Sequence, residues 1–328
     1  MIIRKLVVFI FFFPVISLGE TNSTLTIYAP DYFISEWGPG PKIEEAFEKK
    51  CNCDLKFVSG DPLSKLMLEG ESTNADILIG LSSDQIFNAR KLNLLDKINF
   101  DFSLPQLPIN WEDPNFLPFD WSYVSFIYDN TKIQNPPKTF IELANDPRDY
   151  KIIIQDPRTS PSGLALILWI KSIYGDEASN IWSKLSSKIL TVTKGWSESY
   201  GMFTSGEAEM VLSFITSQAY HEIAENDKTK TALIMNEGHY VYVELAAKVY
   251  KEENNDLSNQ FMEFILSQEF QEIIPLSNWS FPVNLPEEKW PVGFQNLPKP
   301  EKSIFMIEEN SVEIRKLAIE EWLKAMTK

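Results

Sequence analysis

The sequence predicts an α/β protein of two lobes, each built from alternating strands and helices and joined to the other by two extended crossovers. Three features of the 328 residues predict it. Strand and helix patterns alternate from residue 24 to residue 92, the grammar of a parallel sheet covered by helices. The same rhythm restarts at Lys151, after a Pro-rich passage. Two long extended segments, 119–128 and 240–249, bracket that second unit as hinge strands would.

Taken in order, TLTIYAP (24–30) alternates as a strand, and WGPGP (37–41) leads into a helix over 42–50. There Ile43, Ala46 and Phe47 share one face, and Pro41 suits the first helical position. A second strand, 54–58, ends at Ser59-Gly60-Asp61-Pro62, where Asp61 is placed as N-cap and Pro62 as the first residue of the next helix. ADILIG (75–80) is a third strand, followed by a helix over 83–92, and the irregular stretch 104–119 closes the unit. SYVSFIYD (122–129) and KIIIQ (151–155) read as strands, with helices at 163–174 and 178–188 and a strand at 189–193. After the second extended segment come helices at 256–266 and 267–274, then a Pro- and Trp-rich wrap. A terminal helix carries Ile314, Leu317, Ala318, Trp322 and Ala325 on one face. This divides the chain into lobe 1 (20–120 and 245–328) and lobe 2 (121–244).

The first nineteen residues, MIIRKLVVFIFFFPVISLG, have a basic start, an apolar run and small residues placed for cleavage, so they read as a cleaved signal peptide. No Cys stands at the junction, which argues against lipid attachment. The remainder keeps 28 basic and 46 acidic side chains, a net charge of −18. That balance opposes a nucleic-acid partner, whose phosphates need a basic face, and is compatible with drawing in a cation. Cys51 and Cys53 stand one residue apart. A local structural disulfide is the favoured reading in an oxidising compartment, with a free thiol pair as the alternative.

The stretch 193–221, TKGWSESYGMFTSGEAEMVLSFITSQAYH, gathers rings, Gly turns and hydroxyls around a strand at 210–214. Loops at strand ends present recognition groups, so it reads as one wall of a cleft. Ser160 and Ser162, in QDPRTSPSG (155–163), would sit at a helix N-terminus, where free N–H groups favour a phosphate or carboxylate; plain capping is the alternative. Arg158 beside Asp156 reads as an ion pair. Tyr32, Trp37, Trp196, Tyr200, Phe214, Tyr220 and Trp279 fall in or beside loops at strand ends, where ring faces stack on flat heterocycles and attract cations. Trp196 and Trp279 are read as ligand rings because each lies in a turn of small polar residues. Trp169, Trp182 and Trp322 are assigned to core, and His221 and His239 to structural hydrogen bonding. Nucleophile-elbow, zinc-protease and phosphate-loop signatures are missing, so no catalytic residue, metal or cofactor is expected. The alternatives are a ferric-ion or polyamine receptor and a secreted carbohydrate-active enzyme, which would need two carboxylates at glycosidase separation.

The order of WGPGP (37–41), CNC (51–53), QDPRTS (155–160), TKGWSESYG (193–201), TSQAYH (216–221), EGHY (237–240) and SNW (277–279) resembles the periplasmic thiamine-binding proteins of bacterial ABC importers. The resemblance runs from about Leu25 to the C-terminus. It implies a two-lobed periplasmic-binding-protein fold of type II, with mixed sheets, helices on both faces and two crossover hinge strands. It further implies a monomer in the periplasm that captures thiamine, or thiamine mono- or diphosphate, and delivers it to the membrane permease of the importer. By motif, Ser160 carries over as a phosphate or hydroxyl contact, with Pro161 beside it, and Trp196 as an aromatic and indole N–H contact. Phe214, Ile215, Thr216 and Ser217 form the adjoining wall, and Trp37, Tyr220 and Trp279 complete the enclosure. Where the family commonly has Tyr-Asp after its first strand, this chain has Pro30-Asp31 with Tyr32 nearby. Its loop 59–61 is shorter than the family's, and Ser59-Gly60 takes the place of a phosphate-contacting Asp-Gly pair. Phe214 and Pro161 each replace a hydroxyl residue, so phosphorylated ligands are expected to bind less tightly than thiamine itself.

Overall fold

Two long antiparallel strands form the axis of the protein in the computed structural model, which describes residues 23–252, 256–306 and 311–327. The leader read at 1–19 lies outside the described residues. In chain order the strands are β1 (Thr24–Ala29), β2 (Asp54–Ser59), β3 (Ile77–Ser82), β4 (Leu117–Asp129), β5 (Ile152–Gln155), β6 (Ile189–Thr193), β7 (Met210–Phe214), β8 (Lys230–Ala232), β9 (His239–Lys248), β10 (Phe281–Pro282) and β11 (Ser303–Ile304). They join in the order β2-β1-β3-β9-β4-β7-β5-β6, with β8 and β10 on β4 and β11 on β9.

The axis is β4 and β9. From Leu117 to Tyr123 strand β4 runs along β9, and from Val124 to Tyr128 it runs along β7, so one strand serves both lobes. Strand β9 pairs with β3 through Glu244–Lys248 and with β11 through His239 and Tyr240. Within each lobe the outer strands are parallel, as the strand–helix alternation requires. Every residue of β4 from Leu117 to Tyr128 is buried, which explains its near-continuous apolar sequence.

Local signals are met with small shifts. Asp61 caps its helix by accepting from the Ser64 N–H at 2.7 Å, and Pro62 opens it. Helix Gly40–Cys51 ends at Asn52 in the left-handed region (φ 51°), and this turn brings Cys51 and Cys53 into a disulfide. Gly80 sits at a bulge in the β3·β9 pairing with φ 79°. A Cβ there would lie 2.6 Å from the Pro30 ring and 3.3 Å from the Tyr32 hydroxyl, so glycine lets Tyr32 approach the strand.

The terminal helix, Ser311–Met326, departs from the expected division of the chain. Helices Asp256–Ile265 and Gln268–Ser277 pack on the first lobe, where Phe47 meets Phe261 and Phe264 and Phe119 meets Phe270. The terminal helix instead packs on Pro161–Tyr174 and Ala178–Leu185 of the second. Its Ala318, Trp322 and Ala325 join Trp169 and Trp182 in one buried cluster, while Leu317, expected on that face, is exposed. From there Arg315 reaches back to Asp84, after β3, at 3.3 Å.

Candidate functional site

At the middle of the axis, Asp120 of β4 and Glu244 of β9 stand directly opposite each other in the pairing register, and both are buried. Asn278 Nδ2 donates to Asp120 Oδ2 at 2.5 Å and to Glu244 Oε2 at 2.6 Å. Tyr32 donates its hydroxyl to Glu244 Oε1. Burial and the Glu244 charge push the Asp120 carboxyl well above the usual range. Burial raises Glu244 too, and the Tyr32 and Asn278 hydrogen bonds and Asp120 offset only part of that rise. Two carboxyls in one buried site resist double ionisation, and Asp120, raised further than Glu244, is the one that favours the proton. Among the described residues Asp120 Oδ1 has no hydrogen-bond partner.

Beside this pair Trp279 follows Asn278 with φ 52°. A bulky residue in the left-handed region is an outlier that clusters at functional sites. Its ring is held edge-on to Tyr220 at 5.0 Å and stacked over Phe294 at 6.4 Å. Thus the indole that follows Asn278 in the chain meets a phenol from the other side of the axis.

The second wall comes from the ends of β5, β6 and β7. Trp196 opens helix Trp196–Thr204 rather than lying in a free turn. Its indole Nε1 donates to Ser213 Oγ at 2.8 Å, and Ser213 is hydrogen-bonded to Ser217 at 2.8 Å. Ser160 is the N-cap position of helix Pro161–Tyr174, but its hydroxyl caps nothing; it bonds to Ser162 at 2.9 Å, which donates to Gln155 Oε1 at 2.8 Å. Gln155 in turn donates to Ser199, whose hydroxyl donates to the Trp196 carbonyl at 2.8 Å. One buried relay thus ties the Ser160 helix start to the Trp196 helix. Arg158 is paired to Asp156, as expected.

Other expected residues fall differently. Phe214 packs against Tyr242 at 5.2 Å, and Thr216 is hydrogen-bonded to Ser122 of β4 at 3.1 Å, so both touch the crossover strands. The Ile215 side chain is fully buried in the core, and Pro161 is exposed at the helix start. Ser59 donates to Asp31, beside Tyr32, and Gly60 follows with φ 130°. Trp37 is 61 % exposed. A cavity of about 810 Å³ between Asp84, Phe87, Leu168, Met306 and Arg315 includes none of these residues.

Both histidines are held as structural groups. His239 is buried; its Nδ1 donates to the Val124 carbonyl at 2.8 Å and its Nε2 accepts from the Met235 N–H at 2.9 Å. Burial lowers its pKa to about 4, so it stays neutral. His221 has Tyr200 on one nitrogen at 2.8 Å and Glu225 on the other at 2.6 Å.

Sequence reasoning missed Asp120, Glu244, Tyr242 and Glu225. Its available signal was one carboxylate inside each of two apolar extended runs, LPFDWSYV and HYVYVELA. A buried carboxyl in a strand needs a partner; here Asn278 serves both and Tyr32 serves Glu244.

A family profile described as bacterial extracellular solute-binding protein matches residues 72–302. The chain is 42 % identical over 323 residues to a thiamine-binding periplasmic protein of Brucella suis biovar 1 (strain 1330), covering 96 % of this chain and 97 % of that one. It is 39 % identical over 308 residues to the thiamine-binding periplasmic protein of Escherichia coli (strain K12), at 93 % and 94 % coverage. A solved periplasmic thiamin binding protein superposes with a TM-score of 0.88 at 39 % identity, covering 94 % of this chain and 98 % of its own. With its two lobes hung on two shared strands, the chain belongs to the bacterial extracellular solute-binding protein family.

Proposed function

We propose that the protein is a periplasmic solute-binding protein that captures thiamine between its lobes and hands it to the permease of an ABC importer. Thiamine is a flat aminopyrimidine joined to a cationic thiazolium that bears a hydroxyethyl or phosphate tail. The observation that carries the reading is the indole of Trp279, on a backbone of positive φ, in the residue after Asn278, whose amide bridges the Asp120–Glu244 pair. Aromatic faces on a segment tied to a buried acidic pair suit a flat cation. The relatives and the solved structure that match nearly the whole chain are named for the same ligand.

In this reading Trp196, Tyr220 and Trp279 enclose the rings, and well-placed aromatic contacts contribute about 1 kcal/mol each beyond burial. The hydroxyls of Ser160 and Ser217 and the helix start at Pro161 receive the tail. The side chain of Ile215 is withdrawn from this role, since it lies in the core. Closure of the lobes on β4 and β9 would exclude water, and no bond is made or broken. The competing readings fit less well. Ferric ion needs free imidazole and phenolate ligands, whereas both histidines have both ring nitrogens engaged. A glycosidase needs two carboxylates standing apart across the scissile bond, whereas Asp120 and Glu244 are buried directly opposite each other and bridged by one amide.

Native mass spectrometry of the protein purified from its own periplasm tests this. A bound mass equal to thiamine or a thiamine phosphate is expected. A sugar, an iron adduct or a polyamine in its place would refute the reading.

A further inference from the structure

We infer that Glu225 and His221 are positioning residues that preset two rings of the enclosure, Trp196 and Tyr220, before ligand arrives. The inference rests on the thiamine reading for its functional consequence, but its geometry stands independently. Trp196 stacks on Tyr200 with centroids 4.5 Å apart and planes at 19°, and Tyr200 stacks on His221 at 5.7 Å and 21°. The three flat groups form a column running inward from the wall. Hydrogen bonds fix it: the Tyr200 hydroxyl meets His221 Nε2 at 2.8 Å, and His221 Nδ1 meets Glu225 Oε2 at 2.6 Å. The other oxygen of the same carboxylate accepts from the Tyr220 hydroxyl at 3.0 Å. Tyr220 then stands edge-on to Trp279 at 5.0 Å.

The backbone explains how one carboxylate reaches both groups. Helix Ser217–Tyr220 runs into a π-helical turn, His221–Glu225, which ends at Asn226 in the left-handed region. In an α-helix, residues four apart share a face, but residues five apart do not. A π turn closes at five residues, so widening this turn brings Glu225 under Tyr220 while keeping it beside His221. Such single π turns mark functional sites more often than chance. Here the turn wires two ligand-facing rings to one imidazole–carboxylate pair. Rings held in place before binding lose less freedom on binding, which is how preorganisation raises affinity.

A metal site is the competing use of these groups, since ligand atoms of His221, Glu225 and Asp227 lie within 4.8 Å of one another. Against it, both imidazole nitrogens are engaged, and Asp227 Oδ1 already accepts from the Thr229 N–H at 2.7 Å.

The test compares Tyr200→Phe, which removes one oxygen and keeps the stack, with Glu225→Gln and the double variant. Glu222→Gln, on the same turn, is the control. Each single variant should stay folded, weaken thiamine binding five- to twentyfold, and alter the near-ultraviolet circular dichroism of the ligand-free protein. The double variant should bind no more than about twofold worse than the weaker single, because residues acting as a unit are not additive. Glu222→Gln should match wild type. Unchanged affinity together with unchanged ligand-free spectra in folded Tyr200→Phe would overturn the inference, as would one equivalent of zinc bound by wild type and lost from Glu225→Gln. Fully additive losses would overturn it too. If wild type fails to bind thiamine, the ligand assignment falls, while the ligand-free spectra of the variants still decide the positioning claim. Tyr200→Phe decides it if Glu225→Gln does not fold.

Discussion

Asp120 and Glu244 face each other across the two crossover strands, and a single amide, that of Asn278, donates to both. Two carboxyls in one buried site cannot both ionise cheaply, so one proton stays. The pair therefore links the pivot of the lobes, a fixed negative charge and the segment bearing Trp279.

Asp120→Asn tests that proton. A carboxyl whose folded pKa exceeds its unfolded value keeps a proton that the unfolded chain releases. Stability then falls as pH rises above the unfolded value of about 4, at no more than about 1.4 kcal/mol per pH unit for one group, until the folded pKa is passed. Asp120→Asn, already neutral, should show a shallower loss between pH 5 and pH 8 than wild type. Urea unfolding at several pH values measures it, and parallel curves would refute the proton held by Asp120.

Trp196→Ala should weaken thiamine binding at least tenfold and leave the fold intact, because Trp196 is only partly buried while Phe203 of the same helix stays anchored in the core. The loss combines a stacking face and an indole N–H now bonded to Ser213. Calorimetric titration of a folded variant with unchanged affinity would sink the assignment.

Trp279→Gly should separate stability from binding. Truncating a fully buried Trp costs about 3–5 kcal/mol; Trp279 is only half-buried, and relief of a strained backbone, about 1–3 kcal/mol, offsets part of what remains. Stability should fall by less than the usual cost while thiamine affinity drops at least tenfold. A full-sized loss of stability with intact binding would contradict this.

Reduction of Cys51–Cys53 should matter little. The loop it closes is three residues, so the chain-entropy contribution is only about 1–2 kcal/mol. It also sits at the start of β2, whereas Ser59 ends that strand about 17 Å away. Cys51→Ser with Cys53→Ser should lower the urea midpoint slightly and leave thiamine affinity within twofold.

The strand–helix alternation and the two crossovers were legible because each is a local pattern: Ile43, Ala46 and Phe47 on a helical face, Asp61 and Pro62 at a helix start. What was hidden depends on register. Asp120 and Glu244 are far apart in the chain, and only the pairing of β4 with β9 makes them neighbours. The terminal helix was assigned to the first lobe by chain order, but Trp322 and Ala325 follow the available apolar partners, Trp169 and Trp182, on the second. Trp279 could be marked as unusual for its turn, yet its positive φ has no sequence signature in SNW. Tyr200 and His221 were read singly as a loop ring and a structural group; the π turn that joins them through Glu225 is not a pattern that residue spacing announces.

The most direct measurement is calorimetric titration of the refolded, ligand-stripped protein with thiamine. One site per chain is expected, with a Kd below about 1 µM, given several rings and one buried countercharge. A folded protein that releases no heat with thiamine, and instead binds iron or a polyamine at one equivalent, would contradict the account.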